Sequence, residues 1–443
     1  MTAATSPTPT RPGTPATAGP PRSDGDTTAL AGKVKLPPVV WLLGAVSFVM
    51  STSSLIVAGL LPQISDSLGV SVSSAGLLIT VYALGMGIGA PVMSLATLRL
   101  PHRSAMIAAL LVFAAGHILG ALSSNLALAL VGRFAAALGN GTFWVMGAVV
   151  ATAAAEPAAR TRAMSVMVGG MTLANAVGVP LGTAAGQLVG WQALFWTLAL
   201  LSLAATVVVA RRVPADTGGG DSSLRAELGA LKHPCLWLIY LAAALMQGGL
   251  LAFYSYIAPL LTERAGLSTT VLPLAMLGYG VGALAGTAFG GRRGDRRPYA
   301  TVIPAAAVTA VLLAAITLWA TNSVTAVILL VLLGAVGIST TPILVGQVIR
   351  IVGPGRALPV ALTTSAFQVG IASGSWIGGV ALTSALGLKG PSLVGLALAL
   401  AALLPLSLLA AASQRTAGTA TAVLGGSPST PHSRDSHLRP PHA

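Results

Sequence analysis

Charge is scarce in this sequence, and acid is scarcer still. Only 8% of the 443 residues are Asp, Glu, Lys or Arg, and ten of them are acidic. Soluble domains carry about 25% charged residues, so a water-facing globular surface is excluded. A single cysteine, Cys235, excludes an intrachain disulfide and leaves redox chemistry without a second sulfur. It reads as a small residue at a helix end. The clustered Asp, Glu, His or Cys that a membrane-embedded enzyme would need at a bilayer face is not evident. No metal and no cofactor are expected, and His432, His437 and His442 read as residues of a tail.

Apolar residues dominate instead, at 54% of the chain and a mean hydropathy of +0.84. Twelve windows are long and apolar enough to cross a bilayer, which takes about 20 residues each. They lie near 38–61, 74–98, 104–123, 126–154, 163–189, 191–212, 234–258, 270–291, 300–320, 323–349, 360–386 and 391–412. A helix satisfies its own backbone polar groups in lipid, so the expected fold is an all-α integral membrane bundle of twelve transmembrane helices.

The net charge of +14 is topological rather than a nucleic-acid footprint. With both tails assigned to the cytoplasm, Arg99 and Arg103, Arg160 and Arg162, Arg211 and Arg212, and Arg292, Arg293, Arg296 and Arg297 fall in the even-numbered connections or beside them. The opposite side receives Arg264 and Lys389. This bias toward the inside fixes orientation: a multi-pass protein of the inner (plasma) membrane with both termini cytoplasmic. Membrane lipid is its expected surrounding, and a monomer its expected state.

Residues 1–35, rich in Thr, Pro, Ala and Gly, read as a disordered cytoplasmic tail and not as a secretory signal, because eleven more apolar segments follow the first. Residues 413–443 read as a second tail. The polar run PADTGGGDSS marks a cytoplasmic linker, 213–233, between a half at 36–212 and a half at 234–412. Sliding the sequence by 197 residues sets Pro62 on Pro259, Tyr82 on Tyr279, Gly85 on Gly282, Gly89 on Gly286 and Arg99 on Arg296. Spans five and eleven repeat differently, with Gly178, Gly182 and Gly186 answering Gly370, Gly374 and Gly378. Glycines four apart share a helix face and permit close helix contact. Two pseudo-symmetric six-helix halves follow, an arrangement that resembles major-facilitator transporters, whose substrate site lies near the midplane between halves.

Four motifs sharpen that resemblance. Gly178-Val179-Pro180-Leu181-Gly182 in span five is similar to the G-x-P-x-G element of drug:proton antiporters; Pro180 removes a backbone donor and bends the helix. GRFAAALGNG, residues 132–141, resembles the family's R-x-x-Q-G motif, with Ala136 in place of Gln. Between spans two and three the family's D-R-x-G-R-R pattern is degraded to Leu98-Arg99-Leu100-Pro101-His102-Arg103. Its second copy, GGRRGDRRP at 290–298, keeps Asp295 and Arg296. A cytoplasmic gate of Arg99, Arg103, Arg160, Arg162, Asp295 and Arg296 is expected, with Asp295 pairing Arg160 or Arg162 or else standing as a solvated loop charge. Across residues 38–412 the sequence resembles twelve-span drug:proton antiporters, especially actinobacterial chloramphenicol-efflux transporters and their relatives exporting purine nucleosides or sugars. Further matches are GLLPQI (59–64), LGVSVSSAGLL (68–78), GAPVM (89–93) and GWQALFW (190–196).

The resemblance implies alternating-access export of a small molecule in exchange for protons. It also exposes a gap, since relatives carry Gly-Thr-x-Glu-Phe before the G-L-L-P run and the glutamate position is Ser54 here. None of the ten acidic residues lies within a span, although Asp66 sits just outside the first. Three readings stand: proton carriage by His117, whose ordinary pKa near 6.5 suits it, against a packing histidine; an anion-binding role for Arg133; or facilitated transport without protons. A sensor derived from a transporter is a further alternative.

An Arg in a membrane helix costs about 2.5–3.5 kcal/mol on insertion scales, so Arg133 needs an interior or hydrated place. Helical spacing sets Arg133, Ala137, Asn140 and Trp144 on one face, and Ser47, Ser51 and Ser54 on another. With Gln247 and Tyr254 of span seven, Thr340 and Gln347 of span ten, Asn175 and Gln368, they form the expected cavity wall. That wall, rich in hydroxyls and amides, suits a polar-to-amphipathic, mainly uncharged molecule. Ser51 and Ser54 are expected to point inward, and Thr52 to bond to its own helix.

Overall fold

The computed structural model describes residues 36–96, 101–156, 159–214, 229, 231–353 and 357–425, without the side chains of 93–96, 161, 295, 357 and 415–425. The tail 1–35, most of the linker and residues 426–443 lie outside the described residues. Twelve helical rods follow in order. They are α1 (Pro38–Leu68), α2 (Val72–Ala96), α3 (His102–Ala121), α4 (Leu126–Ala154), α5, α6 (Trp191–Arg212), α7 (Pro234–Tyr254), α8 (Leu272–Arg296), α9 (Pro298–Trp319), α10, α11 (Ala357–Thr383) and α12 (Gly390–Gly425). Rod α5 consists of Arg160–Leu173 and Val179–Val189 joined by a π turn at Ala174–Gly178, and α10 of Ser323–Ile338 and Thr340–Val352. The helix α12 continues past the expected tail boundary at 412.

Local chemistry explains the helix ends. Pro38, Pro234 and Pro298 stand in the first turns of α1, α7 and α9, where the missing N–H costs nothing. Asn125 caps α4 by accepting from the Leu128 amide at 3.0 Å, and Asn322 caps α10 by accepting from the Thr325 amide at 2.8 Å. These two caps are themselves separated by the repeat interval, so the duplication reaches into loop chemistry.

Eleven of the twelve rods are long and apolar enough to span a membrane. The exception is α11, which carries Thr363, Thr364, Ser365, Gln368, Ser373 and Ser375. It can be polar because protein rather than lipid covers much of it: it lies along α2 and α7. Ser365 Oγ donates to the Gly87 carbonyl at 2.9 Å, Ser73 Oγ to the Gly379 carbonyl at 2.8 Å, and Tyr256 OH to the Ser375 carbonyl at 3.0 Å.

Packing repeats with the sequence. In the first half α1 lies along α5, α2 along α4 and α3 along α6; in the second, α7 lies along α11, α8 along α10 and α9 along α12. The glycine face of α11 meets backbone: a Cβ at Gly378 would stand 2.8 Å from the Ala252 carbonyl oxygen, and those at Gly370 and Gly374 would abut the Ala244 and Gly248 carbonyls. The matching face of α5 meets the side chains of Thr52, Ile56 and Leu60 instead.

The side carrying Leu36 and the end of α12 is here the tail side, and the other the far side. One core runs across both halves at the far side, joining Ile56–Ile64 of α1 to Leu250–Leu261 and to Leu272–Tyr279. Toward the tail side, a separate core of Leu236–Met246, Ile343–Val352 and Leu406 belongs to the second half alone. The halves are therefore fused at the far side.

Candidate functional site

Asn125 starts α4, whose packing against α1 and α2 sets Arg133 and Asn140 toward those helices. Arg133 is buried, at 1% exposure. Its Nη1 donates to Ser53 Oγ at 2.9 Å and to the Ser53 carbonyl at 3.1 Å; its Nη2 reaches the Ser54 carbonyl and its Nε the Leu78 carbonyl, both at 3.4 Å. The guanidinium carbon stands 3.9 Å from the centroid of the Tyr82 ring. Planar stacking and a rigid donor fork are what a guanidinium offers and an ammonium lacks. This is how the bundle accommodates a cation without a carboxylate: helix carbonyls, one hydroxyl and an aromatic face take the place of water.

Asn140 completes the seam, donating from Nδ2 to Tyr82 OH at 2.9 Å and, at 3.4 Å each, to Ser54 Oγ and the Met50 carbonyl. On the other side of Ser53 lies His117, whose Nε2 is 2.8 Å from Ser53 Oγ and whose Nδ1 is 2.9 Å from the Phe113 carbonyl. A carbonyl only accepts, so Nδ1 carries the proton, and in the neutral ring Nε2 accepts from the Ser53 hydroxyl. Ser53 Oγ accepts in turn from Arg133. A directed chain, Arg133 to Ser53 to His117 to Phe113, thus crosses α4, α1 and α3. The imidazole is flanked by Phe113 and Phe195, at 4.2 and 5.3 Å between centroids.

The expected cavity residues separate into groups. Ser54, Arg133 and Asn140 come together, but as a buried hydrogen-bonded seam within the first half rather than as an open wall. Ser51 is buried beside them. Thr52 does bond to its own helix, donating to the Phe48 carbonyl at 2.8 Å. Trp144 is half-buried. In the second half Tyr254 is buried against Tyr279, 4.6 Å between centroids, and belongs to the far-side core. Thr340 is buried and donates back to the Gly337 carbonyl. Gln347 is buried, as is Gln368, whose Cβ faces Gly87 at the α2–α11 seam. Gln247 keeps a buried Oε1 with no hydrogen-bond partner, an acceptor available to an incoming donor.

Gly178, Pro180 and Gly182 form a crossing point. Pro180 has no N–H for the preceding turn, and the backbone widens into the π turn, where the Val179 amide reaches the Ala174 carbonyl. At that widened turn the backbone of Gly280, on α8 of the other half, packs on Asn175 and Ala176. The structure thus answers the expectation of a simple bend with a π turn facing the opposite half. On the tail side, Arg103 donates to the Ala210 carbonyl, and Arg160, Arg162 and Arg296 are exposed. Arg99 and the Asp295 side chain lie outside the described residues. Sequence reasoning did not assign Ser53, Tyr82 or Phe195 to the site. Tyr82 had a signal, its repetition as Tyr279.

The described acidic side chains, Asp66, Glu156 and Glu263, are all exposed, so amides, hydroxyls, the histidines His102 and His117 and one engaged arginine make up the polar interior described. Residues 42–357 match the sequence pattern of the Major Facilitator Superfamily. The chain belongs to that superfamily. This major facilitator is 32% identical over 360 residues to a chloramphenicol resistance protein of Streptomyces lividans, covering 80% of this chain and 92% of that one. It is 30% identical over 373 residues to the inner membrane transport protein YdhP of Escherichia coli K12, covering 83% and 95%. Among solved structures, a bacterial homologue of the human lysosomal transporter Spinster, in an inward-facing and occupied conformation, matches with a TM-score of 0.66 at 16% identity, covering 84% and 95%. That likeness carries the fold alone. The chain is a multi-pass membrane transporter of this superfamily.

Proposed function

We propose that this major facilitator exports a small, uncharged, polar-to-amphipathic molecule such as chloramphenicol, by alternating access and in exchange for protons. The observation that carries the reading is the 32% identity to the Streptomyces lividans resistance protein over nearly that protein's full length. The polar interior is compatible with such a cargo. Its cation is engaged by Ser53, Ser54 and Leu78, while Gln247 offers an open acceptor. The placement of Lys and Arg along the chain supports a plasma-membrane protein with both termini cytoplasmic, so the far-side core would close the outer face and the protein would stand inward-facing. His117 is the one histidine inside a described helix rather than at its start, about one turn before the end of α3. Through Ser53 it reaches the Arg133 seam, which makes it the carrier we favour for the exchanged proton.

Expression in an efflux-deficient strain, with accumulation of labelled chloramphenicol as readout, tests the cargo. Lower accumulation than in the empty-vector strain supports it. Unchanged accumulation with altered handling of nucleosides or sugars moves the cargo to those classes. Proton movement on adding a transported substrate to proteoliposomes tests the exchange, and transport without any proton movement ends that part.

A further inference from the structure

At the far side, one side chain of the second half is held between two glycines. The chain leaves α7 at Tyr254 and turns at Ser255 and Tyr256 before the short helix Ile257–Pro259. In that turn the Tyr256 amide donates to the Phe253 carbonyl at 3.1 Å, one residue short of the α-helical partner. By the repeat interval of 197, the position answering Tyr256 in the first half is Gly59, inside the unbroken α1. The second half thus adds a ring where the first has no side chain. Tyr256 is buried, and its OH donates to the Ser375 carbonyl of α11 at 3.0 Å.

The two glycines come one from each half. A Cβ at Gly76 of α2 would overlap the Tyr256 hydroxyl and stand 2.8 Å from Cζ. A Cβ at Gly379 of α11 would overlap the same hydroxyl, with Ser73 Oγ 3.0 Å away. Ser73 in turn donates to the Gly379 carbonyl at 2.8 Å, a hydrogen bond between the halves. Across α5 and α8 the far-side contact is softer, Thr183 Oγ1 to Met276 Sδ at 3.8 Å, because a thioether is a weak acceptor. Opening the far side would part α2 from α11. That motion breaks the Ser73 bond and lifts Gly76 off the ring, while Tyr256 stays tied to Ser375 in its own half. We propose that Tyr256 is a far-side latch: anchored in the second half, it receives Gly76 of the first and holds the bundle closed at that side. The latch rests on alternating access between the halves but not on the identity of the cargo. Position 76 needs a glycine because the closed state brings α2 down on the hydroxyl.

The test is double electron–electron resonance on the purified full-length protein carrying Cys235→Ser, with spin labels at Ser124→Cys and Thr321→Cys. These two exposed positions lie one repeat interval apart, in the far-side α3–α4 and α9–α10 loops. The parent protein gives mainly the short distance of the far-side-closed state. Gly76→Ala should raise the ratio of longer to shorter distance about tenfold, equal to about 1.4 kcal/mol and within what overpacking costs. Tyr256→Leu removes the ring and should shift the ratio the same way, which also serves if Gly76→Ala fails to fold. In the Tyr256→Leu background, Gly76→Ala should add no further shift. Gly346→Ala, whose added methyl meets nothing within 4 Å, should leave the distances as in the parent. Unchanged distances in Gly76→Ala and Tyr256→Leu overturn the latch, as does a parent already dominated by the longer distance. A full additional shift in the double variant overturns it too, because Gly76 would then act through another contact. The readout uses no cargo, so the latch and the export reading stand or fall separately.

Discussion

Arg133 lies over the Tyr82 ring, 3.9 Å from guanidinium carbon to ring centroid, and this pair joins α4 to α2 within the first half. The second half has Tyr279 at the repeated position, but there the ring stacks on Tyr254. At the repeated position one half therefore carries a cation on an aromatic face and the other a pair of aromatic rings. The asymmetry places the buried cation in the first half.

Replacing Arg133 should separate charge from shape. A hydrogen bond to a charged group contributes about 1.5–3 kcal/mol, and Arg133 reaches its carbonyls and hydroxyl through a planar donor fork that an ammonium lacks. Arg133→Lys keeps the buried charge and loses the fork, so we expect a loss of about 2 kcal/mol. Arg133→Gln removes the charge that needed compensation and should cost less. Thermal unfolding in detergent gives the order, and a lysine variant as stable as wild type contradicts this account.

Ser53 and Ser54 are neighbours with unequal roles. Ser53 Oγ makes bonds of 2.9 Å and 2.8 Å to Arg133 and His117, whereas Ser54 Oγ has one contact of 3.4 Å with Asn140. Ser53→Ala strands the His117 Nε2 acceptor, at a cost of about 1–2 kcal/mol. Ser54→Ala should stay within about 0.6 kcal/mol, the average for a hydrogen bond between membrane helices. Equal losses in the two variants would remove the directed chain from the explanation.

Ser54 is also where the resemblance places a glutamate. Its carbonyl is already 3.4 Å from Arg133 Nη2, so a carboxylate there would have a cation at hand. We expect Ser54→Glu to increase the protons moved per substrate in proteoliposomes, and Ser54→Gln to leave that number unchanged. A glutamate variant that transports with no added proton movement would show that the position is no longer coupled.

Gly280 touches the other half rather than its own. A Cβ there would sit 3.0 Å from both the Asn175 and Ala176 carbonyl oxygens, and overpacking of this kind costs about 1–3 kcal/mol. Because the contact is between halves, Gly280→Ala should slow transport more than it lowers the melting temperature. Gly346→Ala is the control, since nothing lies within 4 Å of its added methyl. Matching transport rates in the two variants would show that the crossing point does not limit the rocking of the halves.

The legible part of the protein was whatever repeats or is periodic. Twelve rods, their order and the duplicated glycine faces follow from apolar length and small-residue spacing, because lipid leaves a helix as the only open-ended solution. The apolar window 360–386 locates α11, although the rod falls short of the other eleven in apolar length, and its glycines at 370, 374 and 378 echo α5. The shared face of Arg133 and Asn140 was legible too. Their partners were not. Helical phase says which way a side chain points on its own rod, and nothing about which neighbour fills that direction.

The amino-acid sequence alone shows the membrane bundle, its two halves and a first apolar window, 38–61, without a carboxylate. Only the tertiary structure decided that Ser53 rather than Ser54 bridges Arg133 to His117, that Pro180 is met by a π turn, and that Tyr254 packs in a core instead of lining open space. The physical reason is the same in each case. Burial in lipid is a property of one segment, whereas a hydrogen bond or a close backbone contact needs two segments brought within about 3 Å, and that distance is set by the packing of the whole bundle.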